Sequence, residues 1–371
     1  MSLTETSVEM PKRRALTESP LVRGQSRSTS AGIAALAEYL PPRVATLSEL
    51  AAEGLLSGSA ETLASFGFGS VHLAGEESNL EMAVAAVEKL FVENDIDRDE
   101  IGLVLYATAL SSSSTMWNAG SPRTTKVSPD SGAGSSPGKG SRLEPVLELN
   151  EVADLFRYPA TQLQSELDLP NAAVIGINQL GCASIFAALR VARAMILAED
   201  DLISVLCVSA DKFPPSHKRD LIYNVVSDGA CAALVRRGAA RNRIVECSHV
   251  TKGALWDAGS LENEILAAYF PTAKSVIDRT LEKAGLAIDD IALVIPHNVS
   301  LRSWEILGRL IGCPPERVYT DNIRRVGHTV ASDTLLNLRL AEESGRIKRG
   351  DLLLLFTFGY GLNWACMVVE H

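Results

Sequence analysis

The segment 183–198 (ASIFAALRVARAMILA) constrains the fold of this chain more than any other. Its spacing predicts a helix, and a helix this apolar must be enclosed nearly all round. Continuous apolar runs at 172–180 and 202–210 flank it, each typical of a strand buried on both faces. The pattern therefore predicts a layered structure in which central helices lie between two sheets.

The same alternation of strand and helix patterns extends over most of the chain. Further strands are predicted at 101–110, 229–235, 291–296, 351–358 and 364–369, and further helices at 80–92, 261–284, 301–311 and 332–344. The helix at 261–284 is expected to break at Pro271, because proline removes a backbone donor. We therefore divide the chain into two α/β halves, 31–237 and 238–371.

Two polar stretches interrupt this pattern. Residues 1–30 have no apolar period and are expected to form a disordered tail. Residues 111–142 are rich in Ser, Gly and Pro and are too long for an ordinary connection. This second stretch is either an active-site lid or a disordered insertion, and we favour the insertion.

Composition excludes several classes of function. The 371 residues carry 35 Lys plus Arg and 45 Asp plus Glu, a net charge of −10 that disfavours nucleic-acid and anionic-membrane partners. The six cysteines form no CxxC pair or zinc-ligand spacing, so we expect free thiols, no metal and a cytoplasmic location. The sequence contains no run of 18 apolar residues, so we expect no membrane span.

Cys182 is the first candidate for chemistry. It follows the strand at 172–180, and Gly181 permits a sharp turn into the helix at 183–198. The free N–H groups and the dipole at a helix start favour a thiolate there. The position suits an acyl-accepting nucleophile, although a small core cysteine has the same appearance.

Two histidines are the candidate bases. His297 directly follows a strand, at a sheet edge where sites gather in α/β folds, but it could be a structural histidine. His328 lies in a loop before the helix at 332–344, five residues before Asp333. Asp333 is either a favourable acid in the first turn of that helix or the group that orients a histidine.

The turn Gly359-Tyr360-Gly361 lies between the last two predicted strands. Its exposed backbone N–H groups suit a developing oxyanion. As a dinucleotide fingerprint it is weak, since no third glycine and no helix follow.

Taken together, these segments resemble the thiolase superfamily, and specifically ketoacyl-acyl carrier protein (ACP) synthase III. The segments that carry the resemblance are, in order, Cys182, Ser227–Ala230, Pro296-His297-Asn298, Gly327-His328-Thr329 and Gly359-x-Gly-x-x-Trp364. Leu301-Arg302 and 345–352 add to it. The resemblance implies a duplicated five-layer αβαβα fold, and usually a homodimer.

The resemblance also implies roles for the site residues. Cys182 would accept the acyl group, and His297 would be the general acid and base. The backbone N–H groups of Cys182 and Tyr360 would form the oxyanion hole. Arg302 would meet the phosphate of an acyl carrier protein or its phosphopantetheine arm. No cofactor is implied beyond that arm, which is part of the substrate.

Two departures from the family pattern carry information about function. Condensing enzymes have Asn where this chain has His328, and that Asn helps to hold the malonyl thioester while carbon dioxide leaves. Segment 61–73 also lacks the Trp and Arg that sandwich the adenine of coenzyme A, which favours a carrier-protein donor. With Asp333, the chain resembles better the Cys-His-Asp acyltransferases of polyketide antibiotic pathways.

We therefore expect an acyltransferase of secondary metabolism. It would move an acyl group from a carrier thioester through Cys182 to a hydroxyl, an amine or another carrier. In this scheme Asp333 orients His297, and His328 either assists His297 or replaces it as the base. The alternatives are a decarboxylative synthase III-type condensing enzyme and a silent subunit that only binds a carrier protein.

Overall fold

The computed structural model describes residues 30–109, 158–214, 217–221, 224–257 and 259–371. The predicted tail, except Ser30, and the predicted insertion at 111–142 lie outside the described residues.

Within the described ranges the chain alternates between strands and helices, as the sequence pattern predicts. The strands are β1 (Ala31–Tyr39), β2 (Arg43–Thr46), β3 (Ser70–Leu73), β4 (Ile101–Ala107), β5 (Ala173–Ile177), β6 (Ser204–Asp211), β7 (Asp220–Leu221), β8 (Asn224–Val225), β9 (Gly229–Arg237), β10 (Arg243–Thr251), β11 (Ile291–Ile295), β12 (Leu352–Gly359) and β13 (Asn363–Glu370). The helices are α1 (Leu47–Ala52), α2 (Ala60–Ser65), α3 (Asn79–Asn94), α4 (Pro159–Glu166), α5 (Ser184–Ala198), α6 (Glu262–Ala284), α7 (Leu301–Ile311), α8 (Ile323–Val326) and α9 (Asp333–Glu343).

The large sheet has the strand order β11-β12-β13-β10-β1-β9-β6-β4-β5. Its two parts meet where β1 pairs with β10 at Gly32 and Arg243. A Cβ at Gly32 would lie 2.8 Å from the carbonyl oxygen of Asn242, so only glycine fits this junction. The predicted boundary at 237/238 falls in the connection between β9 and β10.

Helices α5 and α9 lie between the two parts of the sheet. Ile185 of α5 and Leu338 of α9 share one buried cluster with Leu105 of β4 and Leu355 of β12. One part of the sheet consists of β1, β9, β6, β4 and β5, and helices α3 and α4 pack on its outer face. The other part consists of β11, β12, β13 and β10, and helices α6 and α7 pack on its outer face. This arrangement confirms the predicted layers with central helices.

The stretch Gly181–Ala198, which includes α5, is long and apolar enough to cross a membrane by length and composition alone. It is 56% buried inside the protein, however, and Phe186 and Leu189 belong to the central core. Its apolar character therefore follows from its place between the two parts of the sheet.

Two predictions about these elements are wrong. Strand β5 is not buried on both faces: Ala173, Ile175 and Gly176 are exposed, because among the described strands β5 is the edge strand and pairs with β4 alone. Helix α6 also runs unbroken through Pro271. That proline lies on the exposed face, while residues such as Ile265 and Val276 pack into the core on either side of it and hold both halves in line.

Candidate active site

Cys182 lies in a strained turn between β5 and α5. The chain passes through positive φ angles of 67° at Gln179 and 55° at Gly181, and a single 3-10 turn then leads into the helix. Cys182 is 8% exposed, and its side chain lines a cavity of about 390 Å³. The turn thus presents a thiol to a cavity at the start of a buried helix.

The turn that carries Cys182 is in direct backbone contact with the β12–β13 hairpin. A Cβ at Gly359 would lie 2.2 Å from the Leu180 carbonyl oxygen and 2.7 Å from the Cys182 nitrogen. A Cβ at Gly181 would lie 2.4 Å from the Tyr360 carbonyl oxygen and 2.7 Å from the Tyr360 nitrogen. Both glycines are therefore required for the two turns to meet.

His328 contacts the cysteine directly. Its Nε2 lies 3.4 Å from Cys182 Sγ, and its Nδ1–H donates a hydrogen bond to Asp333 Oδ2. The backbone fixes the ring position, since His328 N–H donates to the Val225 carbonyl at 2.9 Å and its carbonyl accepts from Ser227 N–H at 2.8 Å. The three side chains form a buried Cys-His-Asp chain.

Asp333 is the first residue of α9, and both of its carboxylate oxygens are fully engaged. Oδ1 accepts from the N–H and hydroxyl of Thr329 at 2.6 and 2.7 Å. Oδ2 accepts from Asn298 N–H at 2.7 Å as well as from His328. Burial alone would raise the pKa of Asp333, but the charge and hydrogen bond of His328 and these donors hold it below its usual value. The carboxylate is therefore ionised.

The pKa of His328 is well above the ordinary histidine value. Burial opposes this shift, but the charge of Asp333, the nearby Cys182 and the hydrogen bonds to both outweigh it. The prediction that Asp333 orients His297 is wrong, because the carboxylate bonds to His328 instead. Asp333 reaches the other loop only through the backbone of Asn298.

His297 lines the same cavity but is in a different state. It is 1% exposed, and neither ring nitrogen has a hydrogen-bond partner within the described structure. Burial is the main cause that lowers its pKa to about 3; His328 adds to this, while the charge of Asp333 partly opposes it. The ring is therefore neutral, held between Trp304 and Phe356 at centroid distances of 5.9 and 5.8 Å.

A chain of buried asparagines supports both histidine loops. Asn298 Nδ2 donates to the Gly327 carbonyl at 2.7 Å, next to His328. Asn337 Nδ2 donates to Asn298 Oδ1 and to the Pro296 carbonyl, both at 2.8 Å. Asn322 Nδ2 donates to Asn337 Oδ1 at 2.9 Å. Because these groups satisfy one another, they fix the two loops relative to α9.

The cavity joins the nucleophile to the surface. Arg302, at the start of α7, lines it and is exposed, and the half-exposed Tyr360 lines it as well. Aromatic and aliphatic side chains, such as Tyr269 and Phe358, form much of the remaining wall. Within the described ranges, no group of three or more His, Cys, Asp or Glu side chains is placed to hold a metal.

The structure also reveals polar site residues that the sequence reasoning missed. Asn224 lines the cavity, and its Oδ1 is buried without a hydrogen-bond partner among the residues that the structure describes. No motif surrounds it, so nothing in the sequence marks it. Asn337 could have been found, because it interrupts the apolar run Leu335-Leu336-Asn337-Leu338 in a predicted helix.

Comparisons with known proteins agree with this architecture. Residues 177–253 match the family model 3-Oxoacyl-[acyl-carrier-protein (ACP)] synthase III, and residues 281–371 match the model for its C-terminal part. The chain is 30% identical over 234 residues to Beta-ketoacyl-[acyl-carrier-protein] synthase III of Staphylococcus haemolyticus, covering 58% of this chain and 72% of the relative. It is 26% identical over 227 residues to the synthase III of Aquifex aeolicus, covering 58% and 73%.

Solved structures give the same answer for the fold. The Aquifex aeolicus synthase III superposes with a TM-score of 0.70 at 22% identity, covering 92% of this chain and all of that one. The acyltransferase ChlB3 superposes with a TM-score of 0.73 at 21% identity, covering 92% and 97%.

The chain therefore has the thiolase fold, as predicted. Within that fold, it belongs to the beta-ketoacyl-[acyl-carrier-protein] synthase III family. Membership of this family supports an enzymatic function.

Proposed function

We propose that this protein is an acyltransferase that works through an acyl-Cys182 intermediate, with His328 as its general base. The observation that carries the proposal is the chain of contacts from Cys182 Sγ to His328 Nε2 at 3.4 Å and from His328 Nδ1 to Asp333. A histidine held by an ionised carboxylate is the arrangement that activates a nucleophile and then its acceptor.

The reaction has two steps. In the first, His328 takes the thiol proton, Cys182 sulfur attacks the donor thioester carbon, and the bond to the donor sulfur breaks. His328 returns its proton to the departing thiolate. In the second, His328 takes the acceptor proton, the acceptor attacks the acyl carbon, the bond to Cys182 sulfur breaks, and His328 returns the proton to that sulfur. The backbone N–H groups of Cys182 and Tyr360, on turns in direct contact, would stabilise the oxyanion in both steps.

The donor in this proposal is an acyl carrier protein, with its phosphopantetheine thioester as the substrate arm and no other cofactor. Arg302 supports it, because an exposed guanidinium on the rim of the Cys182 cavity is suited to a phosphate. The names of the matched relatives include acyl carrier protein. The acceptor is a hydroxyl, an amine or another carrier, and the replacement of Asn by His328 supports a place in polyketide metabolism.

Two further parts of the proposal concern assembly and location. The exposed, apolar edge strand β5 supports a homodimer in which β5 meets its copy, because an unpaired strand edge is a template for pairing. Replacing Ile175 by Asp should then shift the mass in solution from dimer to monomer.

All six cysteines are free, which supports a reducing, cytoplasmic compartment.

The test of the proposal is intact-mass analysis after incubation with acyl-carrier thioesters. We expect one acyl group on the wild-type protein and none on the Cys182→Ala variant. Cys313→Ala is the matched control, since that thiol lies outside the Cys182 cavity, and it should load like wild type. Equal labelling of wild type and Cys182→Ala would contradict the proposal.

The second candidate is a decarboxylative condensing enzyme, which the names of the matched relatives favour. It predicts release of carbon dioxide from malonyl carrier protein by the acylated enzyme. The acyltransferase predicts transfer without that release. His328→Asn restores the asparagine of condensing enzymes, so any gain of carbon dioxide release in this variant locates the functional difference at this residue.

A further inference from the structure

The cavity beside Cys182 contains buried polar atoms that no described group satisfies. These are Oδ1 of Asn224 and both ring nitrogens of His297. Buried polar atoms in folded proteins have hydrogen-bond partners, and each one left without a partner is costly. Because both side chains line a cavity, their partners in the working enzyme are water or a bound ligand.

Asn224 is placed on the reactive side of the cavity. The Val225 carbonyl accepts from His328 N–H, and Val226 forms an isolated bridge with His328. Val226 also packs in a small cluster with Cys182. Side chains two apart on extended chain point to the same side, so Asn224 and Val226 both face the nucleophile.

The cavity has no described negative charge to hold a cation. Its described lining contains no Asp or Glu side chain, and its rim carries Arg302. Asp333 is enclosed, with four hydrogen bonds already made. Glu262, whose charge adds to burial in raising the pKa of Tyr360, is exposed and does not line the cavity. An ammonium group would therefore lose its hydration without gaining a partner.

We propose that Asn224 and His297 form the acceptor subsite and that it takes a neutral compound with two neighbouring hydroxyls. This inference rests on the proposed acyltransferase function. One hydroxyl gives its proton to His328 Nε2 while its oxygen attacks the acyl carbon; the bond to Cys182 sulfur then breaks, and His328 returns the proton to that sulfur. The second hydroxyl donates a hydrogen bond to Asn224 Oδ1. The His297 ring N–H donates a hydrogen bond to a hydroxyl oxygen of the same compound.

The test measures decay of the acyl-enzyme after loading with octanoyl-N-acetylcysteamine. The acceptor probes are cis-1,2-cyclohexanediol, cyclohexanol and cis-2-aminocyclohexanol at pH 7.5, which share one ring and differ in polar groups. For wild type, we expect the diol to accelerate decay about tenfold more than cyclohexanol, as one buried hydrogen bond allows, and the amino alcohol to be the slowest.

Asn224→Leu should remove the advantage of the diol over cyclohexanol, measured as decay of enzyme already loaded with octanoyl, so that any change in loading does not enter the comparison. His297→Phe should reduce the diol rate in the same direction. Asn94→Leu, on the exposed end of α3, is the matched control and should behave like wild type.

An amino alcohol as fast as the diol, or an Asn224→Leu variant that keeps the diol advantage, would overturn the inference. Failure of wild type to load octanoyl on Cys182 would instead contradict the acyltransferase proposal itself, so the two failures are distinguishable.

Discussion

The two histidine loops of the site show that burial alone does not set the role of a histidine. His328 and His297 line one cavity, are 4% and 1% exposed, and have ring centroids 6.3 Å apart. His328 meets a carboxylate, and its pKa rises well above the ordinary value. His297 meets none, and its pKa falls to about 3. The partner decides which ring is a base and which is a neutral hydrogen-bonding group.

Local geometry explains this difference. His328 and Asp333 are joined by a short turn in which Val330 has a positive φ of 56°, and the turn brings the carboxylate back to the ring. His297 follows β11, and its backbone N–H donates a hydrogen bond to the Phe356 carbonyl. Only its neighbour Asn298 reaches Asp333.

The largest expected effect comes from Asp333→Asn, which makes the two histidines alike. We expect decay of acyl-Cys182 to an acceptor to fall by about 100-fold or more, because His328 loses both its orientation and its basicity. In wild type, His328 acts as a base only above its raised pKa, so the decay rate should climb with pH to a plateau beyond that value.

The sign of the accompanying pH shift follows from the cause of the raised pKa. Without the carboxylate, burial lowers the pKa of His328, so the midpoint of the profile should move to lower pH as the plateau drops. The measurement is the single-turnover rate against pH. A midpoint that stays in place, or moves upward, would show that Asp333 does not govern this ring.

A smaller effect is expected when the support of both loops is weakened together. Asn337→Leu removes the donor to Asn298 and to the Pro296 carbonyl, and it removes the acceptor of Asn322 Nδ2. We expect a loss of about 1–3 kcal/mol in the free energy of unfolding, the cost of buried groups left without partners. Denaturant unfolding measures it, and acyl loading should fall about tenfold.

Leu336→Met, in the same buried helix, is the matched control because it changes packing but no hydrogen bond. If Asn337→Leu were as stable and as active as this control, the asparagine chain would have no positioning role.

The sequence predicts much of the fold for a physical reason. Buried strands and enclosed helices need strongly apolar sequences, so the strand in 101–110 and the helix in 183–198 can be recognised directly from the residues. The edge position of β5 could not be predicted, since an apolar run looks the same whether sheet or another surface covers it. The unbroken α6 depends on tertiary packing around Pro271, which the local pattern does not contain.

The candidate site is predictable to the same extent. The residues Cys182, His297, His328 and Asp333 all reach one site, because each belongs to a recognisable segment at the end of a strand or the start of a helix. Their pairing was not predictable, since it depends on how a turn folds back. The roles of Arg302 and of the Tyr360 backbone stay predictions.

The central claim is that, of the two histidines, His328 is the one that activates Cys182. Its most direct test is the rate of acyl loading on Cys182 in His328→Asn and His297→Asn, each compared with wild type by intact mass over time. We predict a fall of about 100-fold or more for His328→Asn and of less than about threefold for His297→Asn. Equal losses in the two variants, or a larger loss in His297→Asn, would contradict the account.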